Sequence, residues 1–230
     1  RLATRLIVRL AGDDRSCDRG VRRLVAAAGE VGDLDVERSL ERAGGLRPRP
    51  RDDLVVRRWQ APPRSICLLV DRSGSMRGEA VARAGLAAAA VVLATQHRAS
   101  CSVIAFARDA IVLLPQGGDR APGAIVEDLL DLRGRGSTDL ALALRAARLQ
   151  LARGPGPGER TAILLSDCEA TTGGDPLPAA AGLNRLHVLG PSSEPSVVAA
   201  GRALAAHGAG RFEAADTVTA LARAVNRLLA

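Results

Sequence analysis

One aspartate and two serines follow a run of five apolar residues in the stretch ICLLVDRSGSMRG, which spans residues 66–78. Asp71 comes directly after the apolar run, and Ser73 and Ser75 lie at alternate positions on either side of Gly74. Carboxylate and hydroxyl oxygens are hard ligands, which suit a small octahedral cation such as Mg²⁺. The glycine allows a tight turn, so that both hydroxyls can point at one ion. The stretch therefore favours a metal-binding loop at the end of a buried strand.

Two later segments offer oxygen atoms of the same kind. The segment GRGSTD at 134–139 supplies Thr138 and Asp139 just before a predicted helix, and the strand-like segment ILLSD ends with Asp167. Taken singly, each segment also fits a simple turn or a helix N-cap. In an open parallel sheet, however, ligands bind outside the carboxyl ends of the strands, where the strand order reverses. The combination therefore predicts one shared site built from three loops.

Nucleophilic catalysis by these hydroxyls is not favoured, because an activated serine needs an adjacent base. We expect His97 near the far end of a helix, His187 inside an apolar strand and His207 at the end of a late helix. The chain has no lysine, which excludes a Walker A lysine and a Schiff base. A metal-dependent hydrolase or phosphatase is the alternative, since Asp71 ends a strand as haloacid-dehalogenase nucleophiles do. The second aspartate expected two residues later is Ser73, so we predict no catalytic residue.

Strands that are apolar throughout alternate with helices from Ser65 onward. The predicted strands are 65–70, 101–107, 110–115, 161–166, 185–190 and 210–215, and the predicted helices are about 78–97, 122–132, 139–153, 195–207 and from Thr217 to the end. This alternation indicates an α/β fold with a doubly wound, mostly parallel sheet and helices on both faces. The short link between the second and third strands predicts a hairpin, and hence one antiparallel edge strand.

The first 60 residues have a different character, being polar and rich in arginine. Helical periodicity around 19–28 and 34–43 precedes a Gly/Pro linker at 44–53 and a possible short edge strand at 54–59. We therefore predict a short helical and linker extension over residues 1–60, the end of a longer region, followed by one domain over residues 65–230.

Composition excludes several classes of partner. The net charge is +7, but the 32 arginines are spread along the chain and interleaved with 25 acidic residues, without a basic stripe. Aromatic residues make up only 1%, which disfavours base stacking and nucleic-acid binding. The apolar stretch at 84–94 is too short to span a bilayer, and the chain shows no signal peptide. We expect a cytoplasmic protein that neither binds nucleic acid nor inserts into a membrane.

The segments VDRSGSM, STDLALAL and LLSD together resemble the von Willebrand factor A (VWA) domain and its metal-ion-dependent adhesion site (MIDAS), over Ser65–Ala230. The resemblance implies a Rossmann-like fold and a bound Mg²⁺, or Mn²⁺ in vitro. It implies direct or near-direct ligation by Ser73, Ser75 and Thr138, and ligation by Asp71 and Asp167 either directly or through water. Many members carry glycine after the last aspartate, whereas this chain has Cys168, a departure that bears on the backbone shape of that loop but not on the aspartate.

Within that family, the intracellular bacterial branch is the more similar. The stretches GDLDVERSLER, LVVRRWQAPPRSICLLVDRSGSM and LLSDCEATTGGDPLP resemble CoxE-like proteins that accompany MoxR-type AAA+ ATPases, relatives of the D subunits of magnesium and cobalt chelatases. There the A domain is not the motor but docks on the ATPase or on its client. The resemblance implies a non-catalytic adaptor in client remodelling or metal-cofactor assembly, whose protein partner donates an acidic side chain to the metal.

Arginines flank the two predicted metal loops and indicate a basic rim. The predicted partner-binding rim comprises Arg72, Arg77, Arg133, Arg135 and Asp139. Such a rim would attract an acidic partner and accelerate encounter, although general arginine abundance explains the same pattern. We also expect Asp71 to be a surface carboxylate, whose removal leaves the core intact.

Overall fold

The structure is a computed structural model that describes residues 23–28, 32–44, 53–60, 63–74, 85–86, 88–89, 91–92, 99–132, 136–156 and 158–229. These residues fall into two compact units, one within Asp18–Pro62 and the other within Pro63–Ala230.

The smaller unit is a three-stranded antiparallel sheet with one short helix. Its elements are β1 (Arg23–Ala28), β2 (Asp33–Leu34), α1 (Val36–Ala43) and β3 (Val55–Gln60), and β3 lies between the other two strands. The Asp35 carboxylate begins α1 by accepting the N–H of Arg38, and it also accepts a hydrogen bond from Arg57 Nε at 2.8 Å. This residue therefore ties the helix to the central strand.

The prediction of a helix around 19–28 is wrong over its described residues, because 23–28 form β1. Alanine favours helices, but the pairing of this segment with β3 overrides that preference. The helix predicted over 34–43 is confirmed as α1, and the strand predicted over 54–59 is confirmed as β3. That strand is central in its sheet and not an edge. The described part of the N-terminal region is therefore mixed and not simply helical.

The larger unit is built on a six-stranded sheet. Its strands are β4 (Arg64–Asp71), β5 (Ala99–Phe106), β6 (Ala110–Leu114), β7 (Glu159–Leu165), β8 (Leu186–Gly190) and β9 (Phe212–Ala214). Their order across the sheet is β6-β5-β4-β7-β8-β9; β6 pairs antiparallel with β5, and the other pairs are parallel. The predicted fold class, with its antiparallel edge strand, is confirmed.

Helices cover both faces of this sheet. They are α2 (Pro122–Asp131), α3 (Leu140–Ala152), α4 (Pro176–Ala181), α5 (Pro195–His207) and α6 (Val218–Leu229), and the described residues between 85 and 92 are also helical. Alternate residues of β4 enter different cores: Leu68 packs in a cluster with residues of α6, and Leu69 in a cluster with residues of α3. Both faces of β4 are thus buried, which explains its uninterrupted apolar run.

The strand order reverses between β4 and β7. From β4 the chain continues to β5 on one side, whereas β7 pairs with the other side of β4 and continues to β8. Val70 and Leu165 are opposite each other in the parallel pair, so the residues that follow them leave the sheet side by side. This edge is where open α/β sheets place their ligands.

Candidate metal centre

Asp71 is the last residue of β4, and its carboxylate is buried. Oδ1 accepts the backbone N–H of Ser73 at 2.8 Å, and Oδ2 accepts the hydroxyl of Ser166 at 2.5 Å. Only 1% of Asp71 is exposed, so the expectation of a surface carboxylate is wrong. Asp71 pairs with Phe106 of β5 on one side and contacts Ser166, directly after β7, on the other. Alanine at this position would leave two hydrogen-bond donors without their acceptor.

The electrostatic environment of Asp71 favours a cation. Burial raises the pKa of the Asp71 carboxyl, the hydrogen bonds from Ser166 and Ser73 oppose that rise, and the nearby Asp167 raises the pKa further. Asp167 is also buried, and no ion pair among the described residues neutralises either carboxylate. Two neighbouring buried anions without a basic partner are costly, and a bound cation would remove that cost.

The first loop continues from Asp71 through Arg72, Ser73 and Gly74. The N–H of Arg72 donates to the carbonyl of Phe106 at 2.8 Å, which ties the loop to the end of β5. Ser73 is buried beside the carboxylate that accepts its N–H. Ser75 lies outside the described residues, so its part in the site stays a prediction.

The second loop brings Thr138 to the same edge of the sheet. The N–H of Asp139 donates to the carbonyl of Ala107, directly after β5, at 2.9 Å. Thr138 is buried, and its hydroxyl forms no hydrogen bond with any residue that the structure describes. This hydroxyl is therefore available to an ion.

Asp139 has a structural role at the start of α3. Its Oδ1 accepts the N–H of Leu142 at 2.8 Å, as an N-cap does. The carboxylate also packs closely against Gly173, where an added Cβ would lie 2.4 Å from the Asp139 carboxyl carbon. A contact of Asp139 with a partner, as part of the basic rim, stays a prediction.

The third loop begins with Ser166, Asp167 and Cys168. Asp167 Oδ1 accepts the N–H of Glu169 at 3.1 Å, and Ser166 Oγ accepts the N–H of Cys168 at 2.9 Å. Cys168 has φ 63°, in the left-handed region that glycine occupies without steric cost. The cysteine thus keeps a glycine-like backbone at this position. Burial raises the pKa of its thiol to about 12, so the thiol stays protonated at neutral pH.

Backbone and side-chain hydrogen bonds join the second loop to the third. The N–H of Thr138 donates to Thr171 Oγ1 at 2.7 Å, and the Thr138 carbonyl accepts the N–H groups of Thr171 and Thr172 at 3.1 and 3.2 Å. Neither Ser166 nor Thr171 is among the residues predicted from the sequence for this site. The hydroxyl residues around Asp167 were visible in the sequence. Their hydrogen-bond partners were not, because these depend on which loops lie next to each other in the fold.

Four of the five predicted metal ligands therefore lie in loops at one edge of the sheet: Asp71, Ser73, Thr138 and Asp167. Of the predicted rim, Arg72 is half-buried in the first loop, and Arg77, Arg133 and Arg135 lie outside the described residues. In the described part of the chain, no three His, Cys, Asp or Glu side chains are placed to hold a metal. An ion here would rest on two carboxylates and on hydroxyls, a ligand set that suits Mg²⁺ better than Zn²⁺.

Two of the three histidines have the positions that were predicted for them. His187 is buried in β8, and His207 is the last residue of α5, so neither belongs to the three loops. His97 lies outside the described residues. Among the helices that the structure describes, none is long and apolar enough to cross a membrane.

Residues 66–169 match the family model of the von Willebrand factor type A domain. The structure resembles a von Willebrand factor type A protein from Catenulispora acidiphila, with 21% identity and a TM-score of 0.58 over 76% of this chain and 44% of that one. It also resembles an aerotolerance-related membrane protein from Bacteroides fragilis, with 18% identity and a TM-score of 0.58 over 72% of this chain and 98% of that one.

A third similar structure is proximal thread matrix protein 1 from the mussel byssus, with 17% identity and a TM-score of 0.60 over 73% of this chain and 47% of that one. No curated protein matches the chain at a significant level. At these identities the structural likenesses establish the fold, and the family model matches the segment that carries the first loop, the second loop and Asp167. Residues 66–169 therefore resemble a von Willebrand factor type A domain, and the similar structures share its fold.

Proposed function

We propose that this domain is a metal-dependent protein-binding module with a MIDAS-type Mg²⁺ site. The proposed ligands, direct or through water, are Asp71, Ser73, Ser75, Thr138 and Asp167. The observation that carries the proposal is the burial of Asp71 and Asp167 at the end of adjacent parallel strands, without an ion pair to any described residue. The Thr138 hydroxyl, which forms no hydrogen bond with a described residue, independently supports a metal site.

The ligand set supports a binding role for the ion. Two carboxylates and neutral hydroxyls leave part of an octahedral shell to water or to a partner. A carboxylate oxygen from a partner protein suits a hard cation and would complete that shell. The ion, when bound, would attract an acidic side chain of the partner, and the three loops would hold the ligands of the ion in position.

We propose no catalytic role for the domain. Neither described histidine lies in the three loops. A hydroxyl without an adjacent base is a poor nucleophile. These observations support an adaptor over the alternative of a metal-dependent hydrolase.

The partner that we propose is a MoxR-type AAA+ ATPase or its client, in the cytoplasm. The stretches that resemble CoxE-like proteins support this choice, as does the excess of arginine in the chain. The arginines of the predicted rim would attract an acidic surface over a range that salt limits to about 8 Å at physiological ionic strength. The domain would then dock, and ATP hydrolysis by the partner would remodel the client or assist metal-cofactor assembly.

Surface plasmon resonance against a MoxR-type AAA+ ATPase tests the proposal. Removing Mg²⁺ with EDTA should mainly speed dissociation, because the metal-mediated contact is lost. Replacing Arg133 and Arg135 together by glutamate should mainly slow association and flatten its salt dependence. Equally tight binding in Mg²⁺ and in EDTA, together with an unchanged association rate in the double variant, would show that the partner does not use this face.

A further inference from the structure

The third loop contacts predicted ligands from both other loops. Ser166 hydrogen-bonds the Asp71 carboxylate of the first loop, and Thr171 hydrogen-bonds the backbone of Thr138 in the second. We propose that Ser166 and Thr171 are positioning residues, which orient Asp71 and Thr138 for the metal without binding it themselves. This inference rests on the proposed metal-binding function and adds two residues to the site.

The hydroxyl of Ser166 both donates and accepts a hydrogen bond. It donates to Asp71 Oδ2 at 2.5 Å and accepts the N–H of Cys168 at 2.9 Å. Because Ser73 donates to the other carboxylate oxygen at 2.8 Å, the plane of the Asp71 carboxylate is fixed from both ends. A bond to an anionic acceptor is about twice as strong as a neutral one. Ser166 therefore sets the direction in which the free lone pairs of Asp71 point.

The left-handed backbone of Cys168 is part of the same arrangement. With φ at 63°, Cys168 directs its N–H back to the hydroxyl oxygen of Ser166, two residues earlier. Because Ser166 Oγ accepts the N–H of Cys168 on one side, its hydroxyl proton points at Asp71 on the other. The unusual conformation of the third loop is thus connected to the first loop by two successive hydrogen bonds.

Thr171 acts on the second loop in a comparable way. Its side-chain oxygen accepts the N–H of Thr138, while its own N–H donates to the Thr138 carbonyl at 3.1 Å. Both polar groups of the Thr138 peptide backbone are therefore held by the third loop. The Thr138 hydroxyl itself is left without a partner among the described residues and can be presented to the ion.

Thr171 offers the cleaner test, because it is exposed and its replacement should not disturb the core. Thr171→Val keeps the shape but removes the oxygen that accepts the Thr138 N–H, whereas Thr171→Ser keeps that oxygen. The matched control is Thr172→Val, since the neighbouring exposed Thr172 uses only its backbone N–H toward Thr138. Ser166→Ala and Ser166→Thr form the corresponding pair at the buried position.

The measurement is Mn²⁺ affinity of the full chain, by electron paramagnetic resonance, with melting temperature in EDTA as the check of folding. Thr171→Val and Ser166→Ala should each weaken Mn²⁺ binding by about 10- to 100-fold, as the loss of residues that orient metal ligands typically does. Thr171→Ser, Ser166→Thr and Thr172→Val should retain the wild-type affinity. Rescue by the hydroxyl-bearing variants is what a merely space-filling role would not produce.

The outcomes separate the two proposals. If the wild type binds Mn²⁺ and Thr171→Val binds it equally well while folded in EDTA, the positioning role is overturned and the metal site stands. A loss of affinity in Thr172→Val as large as in Thr171→Val would also overturn it. If the wild type itself does not bind Mn²⁺, the proposed function and the positioning role fail together.

Discussion

At the scale of a single residue, Thr138 contributes to the fold through its backbone and to the proposed metal site through its hydroxyl. Its backbone is held by Thr171 and Thr172, but its hydroxyl forms no hydrogen bond with any residue that the structure describes. The residue as a whole is buried. The hydrogen bonds that join the described loops do not use this oxygen, which is the behaviour expected of a ligand.

Thr138→Val should therefore separate stability from metal binding. Valine has the same shape and keeps the backbone hydrogen bonds, so the melting temperature in EDTA should be unchanged or slightly raised. The affinity for Mg²⁺ should fall by about tenfold or more, because a ligand oxygen is lost. Thermal melts in EDTA and in excess Mg²⁺ measure both effects. An equal fall of melting temperature in both conditions would assign the hydroxyl to the fold and not to the site.

Which residue types meet at this edge of the sheet was predictable, but their burial and partners were not. The motif predicted that Asp71, Thr138 and Asp167 lie together, because the carboxyl ends of parallel strands meet at one edge of a sheet. The sequence shows nothing of the Ser166 hydroxyl turning to Asp71, since that contact joins residues 95 positions apart. Nor does it show that Asp71 lies between Phe106 of β5 and Ser166 after β7, so a surface position was predicted for a residue that is buried.

At the scale of elements, the accuracy of prediction followed the strength of each local signal. Each strand from β4 to β8 carries a short apolar run, and all but the hairpin of β5 and β6 alternate with helices, so run length and alternation identified them. The segment that forms β1 is alanine-rich and became a strand only through pairing with β3. The helix α4 was missed, because its six residues, PLPAAA, contain two prolines and too few turns to show a period.

The strand β8 carries a histidine that should make the fold sensitive to acid. Burial, chiefly, and then the charges of Arg185 and Arg211 lower the pKa of His187 from 6.5 to about 4, while the charge of Glu159 opposes them. The N–H of Arg211 donates to His187 Nδ1 at 3.1 Å, which also favours the neutral ring. As the pH falls below 6.5, the imidazole of His187 becomes protonated in the unfolded chain but stays neutral in the folded chain. The free energy of unfolding should therefore decrease between pH 6.5 and 4, by about 3 kcal/mol at most, and then level off.

Urea unfolding at several pH values in EDTA measures this effect. His187→Gln should remove most of the loss between pH 6.5 and 4, because the variant has no imidazole to protonate. The same substitution at His207, on the exposed end of α5, serves as the control for losing a histidine. If His187→Gln keeps the full wild-type slope, other groups cause the acid sensitivity.

At the scale of the whole molecule, the hydrophobic pattern of the sequence predicts the fold, whereas the net charge bears on partners and solubility. The alternation of strands and helices predicted the six-stranded, mostly parallel sheet and its antiparallel edge, because layer architecture follows from which faces must be buried. The net charge of +7 concerns partners and solubility, not the fold. The mixed character of residues 23–60 depends on antiparallel pairing between distant segments, which periodicity alone does not report.

Calorimetric titration with Mg²⁺, paired with thermal melts, is the sharpest test of the proposed Mg²⁺ site. The wild type should bind Mg²⁺, and at about 100 times the dissociation constant the ion should stabilise it by about 2.7 kcal/mol. Asp71→Asn keeps the size of the side chain but removes its charge, so Mg²⁺ binding and the Mg²⁺-dependent rise in melting temperature should both disappear. Asp131→Asn makes the same change at an exposed position in the last turn of α2 and should behave as the wild type. Undiminished Mg²⁺ binding by a folded Asp71→Asn protein would contradict the account.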